Sequence, residues 1–361
     1  MNRGPTKRPT IADIAARAGV AKMTVSRAIN RNGYVSAEAR EKVEKAIREL
    51  DYSPNALARS LKRQRTQVAG ILLADVANPF SSELSRSVEA VLVSSGYTCF
   101  ISTSQRSTER EIRAMTAFFD HRVDGIVIAT RETGAGDEAL RRLIARGLPV
   151  VVVGRNCGHP GVDRVTADHW KGGFDTVAHL ISLGHRRIAF LGASLLNGSG
   201  MPRFQGYLDA LREHGVALRE EYVVGPEGFT PAYSTQADGY DGLKRLLALH
   251  PPPTAVFARN DYTAMGALCA AHDLDLQVPG DIAIAGFDNV ALAAYTTPPL
   301  TTVDQDISGQ GRTAAELLLE RMEGGFRGPR REVILECRLI TRQSTLWQPA
   351  GVAALQESAR S

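Results

Sequence analysis

From Val68 onward, short apolar runs alternate with amphipathic segments, and this alternation confines most of the chain to an α/β architecture. The runs VAGILLADV, YTCFISTS, VDGIVIAT, PVVVVGR, RIAFLGA, TAVFARN and DIAIAGF are predicted strands. Between them SSELSRSVEAVLVSSG, TEREIRAMTAFFDHR and DEALRRLIARG carry helical periodicity. Strands that are apolar throughout need helices on both faces, which means parallel, doubly wound sheets, and seven or more such units suggest two of them. The 361 residues fit two or three domains. With 43% hydrophobic and 23% charged residues, the composition excludes a disordered or low-complexity chain.

The net charge of +4 is unevenly spread. Residues 1–65 hold 15 Lys and Arg against 6 Asp and Glu, leaving 28 against 33 for the rest, so the chain is basic only at its head. Such asymmetry is what a short nucleic-acid-binding module joined to a larger, near-neutral body would show, because neutralising phosphates supplies most of its sequence-independent affinity; a solvated basic tail is the alternative. The basic residues are also interleaved with apolar ones at helical spacing. Thr10 can cap a helix with Ile11, Ile14, Ala15 and Ala18 on its apolar face, and Asp13 stands three residues after the cap. Gly19 ends that helix. A second helix from about Ala21 to Asn30 turns Val25, Ala28 and Ile29 inward and Lys22, Met23, Ser26 and Arg27 outward, making a helix-turn-helix. A third helix, capped by Ser36, closes the core with Ala39, Val43, Ala46, Ile47 and Leu50. Pro54 then opens a segment, NALARSLKR, of only about two helical turns, too short to be stable alone.

The strings TIADIAARAGVAKMTVSRAIN and YVSAEAREKVEKAIRELDYSPNALARSL closely resemble the DNA-binding head of the lactose/galactose repressor (LacI/GalR) family of bacterial transcription factors. The resemblance implies that the second helix enters the major groove. Lys22 and Met23 would then be the main specificity residues, Arg27 a further base or phosphate contact, and Thr24 and Ser26 neighbours of the backbone, with Thr10 and Asn30 at the borders of the motif. The chemistry suits this: Lys and Arg donate to guanine O6 and N7, and Met makes apolar contact with a thymine methyl. It further implies a hinge helix that folds on operator DNA and wedges Leu61 into the minor groove, with Asn55, Ala58 and Arg59 alongside.

The body resembles the same family to about Ser344, through LISLGHRRIAFLGA, RFQGYLDAL, ARNDYTAMGAL, VPGDIAIAGFDN and PPLTTVDQD. That core is like the periplasmic sugar-binding proteins. In open α/β sheets ligands sit beyond the carboxyl ends of the strands, and those ends are polar and aromatic in this chain. By position, Arg203, Asn260 and Asp288 match the family's effector-binding residues, and Phe80, Arg131 and Arg155 are further candidates at strand exits. The two arginines would suit an acidic sugar. The loop SLLNGSGMP before Arg203 departs from the family pattern, and the C-terminus lacks the leucine heptads that make some members tetramers, which leaves a homodimer as the expectation.

The expected organisation is a helix-turn-helix domain over 8–52, a hinge and linker over 53–67, an effector-binding and dimerisation core over 68–344, and a tail over 345–361. Within the core, one subdomain comprises about 68–166 and 305–334, the other about 167–304 and 335–344. No G-x-G-x-x-G follows the first strand, and G-K-[ST], H-E-x-x-H and G-x-S-x-G motifs are absent. The histidines are scattered; His169, His179 and His185 are read as structural or exposed. Asp261 and Asp288 could form a hydrolytic carboxylate pair, yet each can equally hold sugar hydroxyls. Cys99, Cys157, Cys269 and Cys337 stand far apart with no C-x-x-C pair, so neither a disulfide framework nor a cysteine zinc site is indicated. No catalytic residue, metal, cofactor, membrane span or secretory signal is expected, and the cytoplasm is the expected compartment. The favoured reading is a repressor of double-stranded operator DNA controlled by a sugar or sugar acid, with a purine as the alternative effector. A periplasmic-type sugar-binding protein and a sugar-processing hydrolase are the alternatives.

Overall fold

The computed structural model describes residues 9–30, 32–52, 65–105, 107–130, 134–192, 200–225 and 235–346. The expectations for Asn55, Ala58, Arg59, Leu61 and Arg131, the side chain of Asn30, and the tail from residue 347 lie outside the described residues. Two compact units separate at Thr66 and Gln67.

In the first unit, Thr10 forms a reciprocal capping box with Asp13: the Asp13 amide donates to Thr10 Oγ1 (3.4 Å), and the Thr10 amide donates to the Asp13 carboxylate (2.8 Å). It opens α1 (Ile11–Ala18), and Gly19 closes it at φ 65°, a left-handed conformation that costs glycine little. Helix α2 (Lys22–Asn30) follows, then α3 (Ala37–Glu49), capped by Ser36. Ile14, Val25 and Val43 are fully buried together, with Ala15, Ala18, Ala28 and Ala46 filling between them. Ile11, expected on the apolar face, is exposed.

The second unit contains two parallel sheets. Asn78 caps a helix whose first residue is Pro79, where a missing N–H costs nothing. The first lobe runs β1 (Val68–Leu73), α4 (Pro79–Ser94), β2 (Thr98–Thr103), α5 (Thr108–Asp120), β3 (Gly125–Ala129), α6 (Gly134–Ala145), β4 (Val150–Val153) and β5 (Asp163–Ala167). The second runs α7 (His169–Ser182), β6 (Ile188–Leu191), α8 (Gly200–Glu213), β7 (Val223–Val224), α9 (Gln236–Leu247), β8 (Ala255–Ala258), α10 (Asp261–Asp273), β9 (Ala283–Ala285) and β10 (Thr302–Asp304). The chain then returns through α11 (Ile307–Glu323) and β11 (Glu332–Leu335) to the first lobe, and re-enters the second at β12 (Arg338–Ile340).

The first sheet has the order β11-β5-β4-β3-β1-β2, and the second β7-β6-β8-β9; both are wholly parallel. Strand β10 pairs antiparallel with β12 and touches the second sheet through bridges at Ala285–Thr301 and Asp288–Asp304. Central strands β1, β3, β4, β6 and β8 are buried along nearly their whole length, whereas β2 and β11, at the sheet edges, are half exposed. All seven predicted strands are present, and among the described residues five more join them. Asp163, with no exposed surface, binds α11 and β11 to β5: Arg321 Nε (2.7 Å) and the Arg331 amide (2.8 Å) both donate to its carboxylate. Among the described residues no helix is long and apolar enough to cross a membrane.

Candidate functional site

On the head, α2 sorts its residues by face. Val25 and Ala28 are buried, while Lys22, Met23 and Arg27 are exposed and Thr24 and Ser26 are partly so. Met23 is 63% exposed, an apolar side chain facing outward on the helix that also exposes Lys22 and Arg27. Thr10, a sequence-derived DNA contact, has its hydroxyl engaged with the Asp13 carboxylate (2.7 Å) in the cap.

The second site lies at the carboxyl ends of the strands in the second lobe. Strand order reverses between β6 and β8, where an open α/β sheet forms a crevice. Arg203 comes from α8, which follows β6; Asn260 follows β8; Asp288 follows β9. Helices α7 and α8 cross closely because Gly173 and Gly206 have no side chains: a Cβ at Gly173 would collide with the Arg203 carbonyl oxygen, and one at Gly206 with that of Trp170. This close crossing brings Arg203 to His169 at the start of α7.

Arg203 is 6% exposed and Asp288 4%, and Arg203 Nη2 stands 3.3 Å from Asp288 Oδ1. Arg203 Nη1 donates to the Arg259 carbonyl (2.8 Å), Nε donates to His169 Nδ1 (3.3 Å), and the guanidinium carbon lies 3.7 Å from the Phe287 ring centroid. Gln305 Nε2 donates to Asp288 Oδ1 (2.5 Å). Asp288 holds φ at 121°, a strained conformation for a residue with a side chain. Neighbouring bonds impose it: the Asp288 amide donates to the Val303 carbonyl (2.9 Å), the Asn289 amide to Thr302 Oγ1 (3.2 Å), and the Val290 amide to Asp261 Oδ2 (2.9 Å). Burial pushes the Asp288 carboxyl up to about 6, against the opposing pull of Arg203 and Arg259. Burial also raises Asp261 well above the usual carboxylate range, as does the neighbouring Asp288. Asp261 accepts from Thr302 Oγ1 (2.5 Å) as well as the Val290 amide, so it braces the loop that carries Asp288.

Asn260 Oδ1 caps α10 by accepting from the Thr263 amide (2.9 Å). Phe80, in the first turn of α4, is partly buried against the core. Arg155 is not brought to Arg203 by any described bond. It is 1% exposed and sits in an ion cluster of the first lobe, where Nη1 donates to Glu111 (2.7 Å) and Thr130 (2.7 Å), and Nη2 meets Asp137. Its charge is therefore balanced within the protein.

Sequence reasoning missed His169 and Gln305. His169, grouped there with structural or exposed histidines, is buried beside Arg203 and 5.7 Å from the Phe287 ring. His179 and His185 do have structural surroundings, facing Thr345 (3.0 Å) and Thr254 (3.0 Å). The position of His169 immediately beyond the end of β5 is the one signal that could have singled it out.

Residues 10–55 match the model for bacterial regulatory proteins of the lacI family, and residues 177–345 match a periplasmic binding protein-like domain. The HTH-type transcriptional repressor PurR of Erwinia tasmaniensis is 39% identical over 317 residues, covering 87% of this chain and 90% of that protein. The chain belongs to the LacI family. PurR of Mannheimia succiniciproducens is 33% identical, with 93% of this chain and 98% of that protein covered. Among solved structures, the Lac repressor dimer bound to operator and the anti-inducer ONPF superposes with a TM-score of 0.80 at 26% identity, covering 94% of this chain and all of that one. The complex of the regulator CelR with cellobiose gives 0.69 at 32% identity, covering 93% of this chain and all of that one. The protein is a DNA-binding transcriptional repressor with a helical head and a periplasmic-binding-protein-like α/β core, and its relatives are repressors and not enzymes.

Proposed function

We propose that this repressor is switched by a sugar or sugar derivative, including sugar acids, held by Arg203, Asn260 and Asp288 beside Phe80. The observation that carries the reading is the buried Arg203–Asp288 pair beyond the strand ends, with Asp288 on strained backbone. A guanidinium donates a fork of hydrogen bonds and a carboxylate accepts them, so the pair suits a ligand with several hydroxyls. The cellobiose bound by CelR supports the same ligand class. The effector shifts operator affinity because it prefers one arrangement of the two lobes, and only differential affinity can move such an equilibrium.

On the DNA side, two heads of a homodimer read a two-fold operator in the cytoplasm through Lys22, Met23 and Arg27, with Thr24 and Ser26 near the backbone and Leu61 in the minor groove. The lobes divide the core at about 166–167, 304–305 and 334–335.

A thermal-shift panel of sugars, sugar acids, sugar phosphates and purines tests the effector class. A ligand at about 100 times its Kd stabilises by about 2.7 kcal/mol, well within detection. Stabilisation by a purine and by no sugar would replace the sugar reading.

A further inference from the structure

Arg203 presents only donors, and two of its nitrogens, Nε and Nη2, lie 3.3 Å from Nδ1 of His169. That nitrogen must therefore accept, and the ring is fixed as the tautomer that carries its hydrogen on Nε2. Burial, reinforced by Arg203, Arg164 and Arg259, holds the imidazole pKa well below its usual value, so the ring stays neutral at physiological pH. The Nε2–H is buried and meets no acceptor among the described residues. A buried donor without a partner is unfavourable, and such groups are rare unless something else satisfies them. Here the donor belongs to the residue that orients Arg203, and Arg203 in turn faces Asp288.

We propose that His169 is a specificity-determining residue of the effector site, its Nε2–H reading a hydrogen-bond acceptor, such as a hydroxyl or ring oxygen, on the ligand held by Arg203 and Asp288. The inference rests on the effector reading above and adds a requirement to it. The ligand must present an acceptor to the imidazole as well as donors to the carboxylate. A site with a fixed buried donor discriminates strongly against analogues that leave it unpaired. Nδ1 alone would suffice if His169 served only to hold Arg203; the second nitrogen has no use in that role.

The experiment uses the full chain with D-glucose, cellobiose, gluconate and hypoxanthine as probes, and follows binding by calorimetry together with the imidazole 15N signals of histidine-labelled protein. For any probe that binds wild type and is weakened by Asp288→Asn, the His169 Nε2 signal is expected to move on binding. His169→Asn, which keeps an acceptor for Arg203 but lacks the distal donor, is expected to weaken that probe by about tenfold or more. His169→Gln, which can return an amide N–H to the Nε2 position, is expected to recover part of the loss. Circular dichroism checks that the variants fold, and the wild-type spectra stand whether or not they do. An unmoved Nε2 signal with a probe that Asp288→Asn weakens would overturn the assignment of His169 while leaving the effector reading intact. No response of wild type to any probe would remove the effector reading, and this assignment with it.

Discussion

Replacing Asp288 with Asn should make the protein more stable at neutral pH while weakening its effector response. Burial moves the Asp288 carboxyl from 3.8 to about 6. At about 1.4 kcal/mol for each tenfold, that displacement means the folded state holds an ionised Asp288 at a cost of about 3 kcal/mol relative to the unfolded chain. The sign follows from a pKa raised by folding. Below about 4 the group is protonated in both states and contributes no difference. Between about 4 and about 6 the unfolded chain ionises while the fold retains the proton, so stability falls as pH rises. Above about 6 the full cost is present. Asparagine resembles the protonated acid, and both protein contacts fall on one oxygen, since Gln305 donates to Oδ1 and Arg203 Nη2 faces the same atom. The amide oxygen can keep both. Urea unfolding of wild type and Asp288→Asn, followed by circular dichroism from about pH 4.5 to about pH 8, should give a stability difference that is small at the acid end and grows to about 3 kcal/mol. A variant no more stable than wild type at neutral pH, or a difference that does not change with pH, would refute the reasoning.

Three further outcomes follow from the same structure. Asp163 has the opposite sign: burial alone would raise its pKa, but hydrogen bonds from Arg321 and Arg331 hold it below the usual value, so its stabilisation is present above about pH 4 and fades below it. Asp163→Asn should destabilise by about 3 kcal/mol at neutral pH in urea unfolding, and a loss under about 0.5 kcal/mol would count against the network. Gly173→Ala should force α7 and α8 apart, lowering stability by about 1–3 kcal/mol and weakening any ligand that Arg203 holds; an unchanged melting temperature would show that the crossing yields without cost. Lys22→Ala should change the preferred operator bases in a binding-site selection, and an unchanged sequence and affinity would remove Lys22 from the reading helix.

Much of the architecture was legible because the central strands are covered on both faces, and continuous burial leaves a run of apolar letters. VAGILL and VVVV are of this kind. The strands that escaped notice, such as DRVTA and EVIL, lie toward the β11 edge or carry residues turned to ion pairs, so polar letters interrupt the pattern. The head was legible from its caps and spacing. The proposed effector site was legible only in part. Arg203, Asn260 and Asp288 follow strands in strings that resemble the family, whereas His169 gains its meaning from Arg203, a residue 34 positions later in the chain. Arg155 shows the converse. At a strand exit it reads as a ligand-binding cation, and only Glu111 and Asp137, brought in by two different helices, turn its charge inward.

Asp163 and Asp288 carry this distinction furthest. Both are buried aspartates, one opening β5 and the other three residues past β9, and nothing in VDRV or GFDN shows which of them the fold favours as an anion. The partners do. Asp163 receives two guanidinium groups and a backbone amide, so its charge is stabilised by the fold and its role is to hold the returning chain in place. Asp288 has one arginine at 3.3 Å and one glutamine on the same oxygen, stands on strained backbone, and is disfavoured as an anion. A fold that maintains such a carboxylate keeps acceptor capacity in reserve. A ligand whose hydroxyls donate to Asp288 would stabilise the anion that burial disfavours, and would thereby gain affinity from a group whose ionisation costs the fold stability.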